Sequence, residues 1–324
     1  MTLRTFCAQL AALTLLSGGA TLMSGCGGGA SAAPSIPTIP PTTPTTPNSG
    51  NLNRIAFSSD RDGDFEIYTM NPDGSDVQRV TTAAGDDTKP AWSRDKTKLA
   101  FASERDGNSE IYVVPITNGK SNGPAQRITN DEASDDAPSW NPDGTQLVFD
   151  SNRATRDSTN GAVRLERALY VVDASNKNVR RITQHPGFTD QSPSWSPQGN
   201  LIVFQSNDAD FSRFRPQAPD HLFTVEPNGE NFKQLTFGGF NKDRNPSWNA
   251  AGTKVLYERG FSTAVVDPDN GEIVTLRATN DDSCGDPVYS PDAEQIACEG
   301  INIIDVDNPN DPLKRVTSGL QPSW

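Results

Sequence analysis

Four aspartates recur at one place in the chain. Asp87, Asp135, Asp190 and Asp243 each stand three residues before a proline, and Cys284 and Gly319 hold that place in two further copies of the stretch. Carboxylates gathered on one surface repel each other unless something compensates them. Such a set binds a cation or a basic segment of a partner, or it is neutralised by arginines of the fold. Arg61, Arg105 and Arg153 each follow a serine by two positions in a matching repeat. One Asp and one Arg per repeat therefore reads as a binding ring at a channel mouth or as a structural ion-pair belt, and the two are compatible.

Other chemistry is sparse. The two histidines, His185 and His221, lie in no His-Glu-x-x-His or cysteine cluster, so no metal site is expected from them. No Gly-x-Ser-x-Gly nucleophile turn and no paired acid and base occur. The run Asp60, Asp62, Asp64, Glu66 places carboxylates at alternate positions but lacks the glycine placement and distal glutamate of an EF-hand. It reads as a solvated turn. Forty-one acidic against 28 basic residues, net charge −13, argue against nucleic acid, whose backbone is bound by clustered Lys and Arg.

The elements that must position these residues are repeats. Residues 89–101 (KPAWSRDKTKLAF), 137–149 (APSWNPDGTQLVF), 192–204 (SPSWSPQGNLIVF), 245–257 (NPSWNAAGTKVLY) and 286–298 (DPVYSPDAEQIAC) align. The chain ends in QPSW at 321–324, and NRIAF at 53–57 supplies the other half of a sixth copy. The aromatic positions Trp92, Trp140, Trp195, Trp248, Tyr289 and Trp324 are spaced 35 to 55 residues apart, around the period of propeller blades. Each unit reads as four strands: the PSW strand, an apolar triplet after a tight turn, a third strand such as EIYTM (66–70) or EIYVV (110–114), and a fourth ending in Arg/Gln, an apolar residue and Thr. The expectation is an all-β, six-bladed β-propeller of four-stranded blades, its ring closed by pairing the N- and C-terminal strands in one blade. The repeated tryptophans read as packing between blades rather than as a ligand cage.

This repeat, PSW followed by a Pro-Asp-Gly-type turn, an apolar strand, Ser-x-Arg, EIY and Arg-x-Thr, resembles the WD-like propeller repeat of the TolB family over 53–324. The family carries an α/β domain ahead of its propeller, which is not found here. The resemblance implies a propeller that binds peptide segments, and allows calcium, at its channel mouth. No cofactor is otherwise expected.

Two insertions lengthen the second-to-third connection. Residues 153–167 bring Arg156, Arg164 and Arg167, and residues 207–220 bring Phe211, Arg213, Phe214 and Arg215. Aromatic residues and arginine are favoured anchors of interfaces, so both loops are candidates for partner contact, alongside simple loop variation that packs locally.

Residues 1–25 read as an export signal, with Arg4 ahead of a mostly apolar run and small residues before Cys26. The stretch resembles a bacterial lipobox, which implies lipidation of Cys26 and anchoring in a membrane of the cell envelope, in the periplasm or at the outer membrane. Residues 26–52 hold a Pro/Thr-rich run that cannot build a core and reads as a tether. Cys284 and Cys298, an even pair in an exported chain, are a candidate disulfide across a hairpin. Taken together, the expectation is a non-catalytic, monomeric envelope lipoprotein that presents the face carrying its inter-blade links and long loops to an envelope protein or peptide. A carbohydrate- or cation-binding propeller, or a channel-mouth lyase or hydrolase, is the alternative.

Overall fold

A computed structural model describes residues 50–324 apart from 154, 157–162, 165, 185–186, 209–218, 239–241, 279–284, 299–301, 306–313 and 316–318. The signal, Cys26 and the tether up to residue 49 lie outside the described residues. The described residues form six antiparallel blade sheets and one two-stranded ribbon. Blade 1 joins Leu320–Ser323 to Ile55–Ser59, Glu66–Met70 and Gln78–Arg79. Blade 2 runs Asp87–Trp92, Lys98–Ser103, Glu110–Thr117 and Gln126–Arg127, with Lys120–Ser121 added beside the third strand. Blade 3 is Asp135–Trp140, Gln146–Ser151, Ala168–Asp173 and Val179–Arg181. Blade 4 is Phe188–Trp195, Ile202–Asp208, His221–Val225 and Lys233–Gln234. Blade 5 is Asp243–Trp248, Val255–Arg259, Ser262–Val266 and Ile273–Ala278, and blade 6 is Val288–Tyr289, Gln295–Cys298, Asn302–Asp305 and Lys314–Arg315. Among the described residues there is no helix.

The split sixth copy closes the ring. Leu320–Ser323 pairs antiparallel with Ile55–Ser59, setting Ala56 opposite Ser323 and Ser58 opposite Leu320. That pairing removes the open strand edge a linear array would leave.

Each residue of the PSW signature has a physical task. The serine ties neighbouring inner strands: Ser139 Oγ accepts the Trp195 N–H at 3.0 Å and Ser323 Oγ accepts that of Trp92 at 3.2 Å. The tryptophan fills the seam. Trp92 packs with Ala56, Ile67 and Val80 of blade 1, and Trp140 with Ala100, Ile111 and Ile128 of blade 2. Trp195 and Trp248 do the same one and two blades further on. The core is thus a set of seams between consecutive sheets, and burying such rings is worth several kcal/mol each, about 3–5 on truncation to Ala.

The fourth strands are shorter than the sequence pattern suggests, because only two or three residues of four of them pair. The threonine of the Arg-x-Thr signature leaves the ladder and caps it with its side chain. Thr81, Thr129, Thr183 and Thr236 are buried, and each Oγ1 accepts a third-strand N–H at 2.9 Å, from Ile67, Ile111, Leu169 and Leu222. A hydroxyl does there what a continued strand would otherwise do, which keeps a buried N–H satisfied.

Candidate functional site

The inner strands carry a bulge at the residue before the motif proline. Lys89, Ala137, Ser192, Asn245, Asp286 and Gln321 all have φ between 47° and 52°. Ladder register shifts at this point, between Thr88 and Ala91 and between Gln191 and Ser194 for example. Non-glycine residues in this region cost on the order of 1 kcal/mol each and persist only where surroundings hold them. The hold comes from the neighbouring blade. Ser192 N donates to Asp150 Oδ2 at 3.1 Å, Asn245 N to Gln205 Oε1 at 2.9 Å, and Asp286 N to Glu258 Oε1 at 2.6 Å. Lys89 N donates to Gln321 Oε1 at 3.0 Å. The bulges bring all six pre-proline residues and their prolines around a central cavity of about 370 Å³.

This cavity opens toward the face of the long loops, because the bulge precedes the PSW triplet in a strand entered from the inter-blade link. Its rim carries a charged cluster from blades 2 and 3. Lys89 Nζ donates to Asp136 Oδ2 at 3.0 Å, and Arg167 Nη1 pairs with Asp150 Oδ1. Arg167 Nη2 lies 4.0 Å from Asp136. Burial, and then the Asp136 charge, push the Asp150 carboxyl up to about 6 against the pull of Arg167 and Lys89. Burial works against charge on Lys89, yet Asp136 and Asp150 hold its ammonium above the ordinary lysine value. Two carboxylates and two cations thus share one part-buried cluster beside the cavity, which Lys89 lines, an arrangement suited to exchanging a structural ion pair for a charged group of a docked segment.

The four recurring aspartates lie one step outside this rim. All four are buried at the start of the inner strand, and none lines the channel cavities. Arg105 Nη2 donates to both oxygens of Asp87, at 2.9 and 3.1 Å, and Arg153 Nη2 donates to Asp135 at 2.6 Å. The same arginines cover the aromatic pairs of the second and third strands, with guanidinium carbons 4.5 Å from the Tyr112 centroid and 5.3 Å from that of Tyr170. Asp190 accepts from Ser206 Oγ at 2.6 Å. The Asp243 carboxylate has no hydrogen-bond partner among the described residues; His221 Nδ1 stands 3.9 Å and Arg259 Nε 4.0 Å away. In blades 2 and 3 the Asp and the Ser-x-Arg arginine meet as a belt, whereas blades 4 and 5 lack that arginine.

Calcium takes about six to eight oxygen ligands. Among the described residues no group of three or more His, Cys, Asp or Glu side chains is placed to hold a metal. At the rim, Asp136 and Asp150 are each already bonded to a cationic side chain. These residues do not fit a calcium ion.

Of the loop residues, Arg167 joins the charged cluster beside the cavity. Arg156 and Arg164 sit in a two-stranded ribbon, Thr155–Arg156 with Val163–Arg164. Phe211, Arg213, Phe214 and Arg215 lie outside the described residues, as does Cys284. Cys298 is disulfide-bonded. Lys89, Asp136 and Asp150 escape sequence reasoning because they stand at positions where the copies differ in residue type. That variation was the available signal. Two further residues emerge only from the structure. Phe237 in the link from blade 4 to blade 5 is 65% exposed, and Phe261 in the second-to-third connection of blade 5 is 78% exposed. Both connections belong to the loop-bearing face.

On the other side of the proline ring lies a second cavity of about 460 Å³. All five tryptophans of the chain and Tyr289 line it, together with the tight turns between first and second strands.

The family model of the TolB beta propeller domain matches residues 41–123. Among solved structures, TolB from Acinetobacter baumannii is 22% identical with a TM-score of 0.64, covering 85% of this chain and 67% of that one. The putative TolB from Agrobacterium tumefaciens is 20% identical with a TM-score of 0.57, covering 76% and 86%. An oligogalacturonate lyase from Vibrio parahaemolyticus, 13% identical, reaches 0.55 over 84% and 76%. At these identities the likeness is one of fold. No curated protein matches the chain at the sequence level.

Proposed function

We propose that this chain is a non-catalytic envelope lipoprotein, anchored through Cys26 and tethered by residues 26–52, whose propeller (53–324) holds a protein or peptide partner on its loop-bearing face. The observation that carries the reading is the pair Phe237 and Phe261. They are the two most exposed large hydrophobic side chains among the described residues, and both belong to connections of that face at blades 4 and 5. Exposed aromatic side chains on loops held by a rigid ring are the usual anchors of an interface. The charged rim of the channel, Lys89 with Asp136 and Arg167 with Asp150, lies on the same side and supplies polar contacts that fix register. The TolB propeller match and the TolB-like fold support a protein-binding propeller of the envelope. The enzyme alternative finds less support. The lyase likeness is one of fold, and fold alone does not carry chemistry. Site-specific crosslinking from the two phenylalanine positions in intact envelopes tests the reading.

A further inference from the structure

The first-to-second turn of blades 3, 4 and 5 has glycine at its left-handed position, Gly144, Gly199 and Gly252, with φ of 65° to 80°. Blade 2 places Lys96 there, at φ 56°. A side chain in this region costs on the order of 1 kcal/mol against glycine. Lys96 adds a second cost, because it is only 8% exposed and lines the 460 Å³ cavity. Its ammonium has no ion pair or hydrogen bond among the described residues, and its contact is the Trp92 ring, 5.4 Å from Nζ. Burial alone pulls the amine down to about 7. A second donor beside it is also unused. Trp140 Nε1 donates to Ala91 O at 3.2 Å and Trp248 Nε1 to Ser194 O at 3.1 Å, but the buried Trp92 Nε1 has no partner. Beyond the cation–π contact of Lys96 with Trp92, neither group is satisfied among the described residues, which leaves both donors available to a ligand.

The cavity around them is selective in charge and shape. Its lining holds two cationic side chains, Lys96 and Arg94, and no aspartate or glutamate, in a chain of net charge −13. Arg94, which also lines the cavity, reaches from blade 2 to the Pro197 carbonyl of blade 4, its Nη1 donating at 2.7 Å. Tryptophan and proline rings make the walls. We propose that this cavity binds a compact aromatic carboxylate, its flat ring against the tryptophans and its anionic group on Lys96. The site lies on the face of tight turns and is independent of the partner surface above.

Titration of the purified full-length protein with 2-naphthoate, read by tryptophan fluorescence at pH 6.5, tests this directly, since every tryptophan lines the cavity. The expected result is saturable quenching with one ligand per chain, weakened about tenfold or more in Lys96→Gly, as befits loss of a charge-assisted contact. That variant restores the residue type that the turns of blades 3, 4 and 5 use. The uncharged 2-naphthamide should bind wild type at least about tenfold more weakly, and naphthoate affinity should fall from pH 6 to pH 9 as the amine loses its proton. Absence of saturable quenching, equal affinity in Lys96→Gly, or equal binding of the amide would each overturn the proposal.

Discussion

Arg105 and Asp87 form a buried pair in which one guanidinium nitrogen donates to both carboxylate oxygens, at 2.9 and 3.1 Å, while Asp87 is fully buried. Removing the arginine leaves a carboxylate desolvated and unpaired. Arg105→Ala should lower unfolding stability by about 2–4 kcal/mol, at the low side of a fully buried pair because Arg105 keeps some exposure. The Asp243 carboxylate occupies the same place in blade 5 with no hydrogen bond among the described residues and Arg259 only at 4.0 Å. Asp243→Asn should therefore change stability by less than about 1 kcal/mol. Urea unfolding of both variants checks the contrast, and equal losses would remove the distinction between the hydrogen-bonded Asp87 and the more loosely held Asp243.

Burial, and then the Asp136 charge, push the Asp150 carboxyl up to about 6. Between about pH 4 and pH 6 the folded state then holds a proton that the unfolded chain has lost, so this group's contribution to stability falls as pH rises through that window. Asp150→Asn should gain on wild type across the same window, by on the order of 1–3 kcal/mol. Parallel stability curves from pH 4 to pH 6.5 would contradict the burial of Asp150 in that cluster.

Lys96 has the opposite sign. Its folded value of about 7 lies below the ordinary lysine value of 10.5. From about pH 7 to pH 10 the unfolded chain binds the proton more strongly, and stability due to this group rises with pH. Lys96→Gly should be more stable than wild type at pH 6.5, by up to a few kcal/mol, with the gap narrowing toward pH 10. Chemical denaturation at the two pH values reads it; a gap that stays constant would mean that Lys96 is solvated rather than buried.

Much of this was legible in the chain. The spacing of Trp92, Trp140, Trp195 and Trp248 announces the blades, and the halves at 53–57 and 321–324 announce the closure. Asp87 with Arg105, and Asp135 with Arg153, can be paired on paper because both recur. What could not be seen are contacts between blades made by residues that do not recur. Asp150 reaches Ser192 across a seam, and Lys89, at the bulge of blade 2, reaches Asp136 of blade 3. A repeat alignment treats such positions as noise. Lys96 in a glycine turn was visible in the sequence, but its meaning depends on burial, which only the fold supplies.

Lipidation is tested separately from the propeller. Cells fed labelled palmitate should incorporate label into the wild-type chain and none into Cys26→Ala, which should leave the membrane fraction. Equal labelling of the two would exclude Cys26 as the acylated residue and return the N-terminus to ordinary export.

The central claim is that the loop-bearing face holds a protein partner, and a photocrosslinker built into the chain tests it most directly. Benzoylphenylalanine is placed at Phe261 in one strain and at Asn228, in an exposed turn of the opposite face, in another. On illumination of intact envelopes, the account predicts a discrete adduct of fixed mass from position 261 that is lost when Lys89→Glu and Phe237→Ala are added, and none from position 228. No adduct at 261, or the same adduct from both faces, would contradict it.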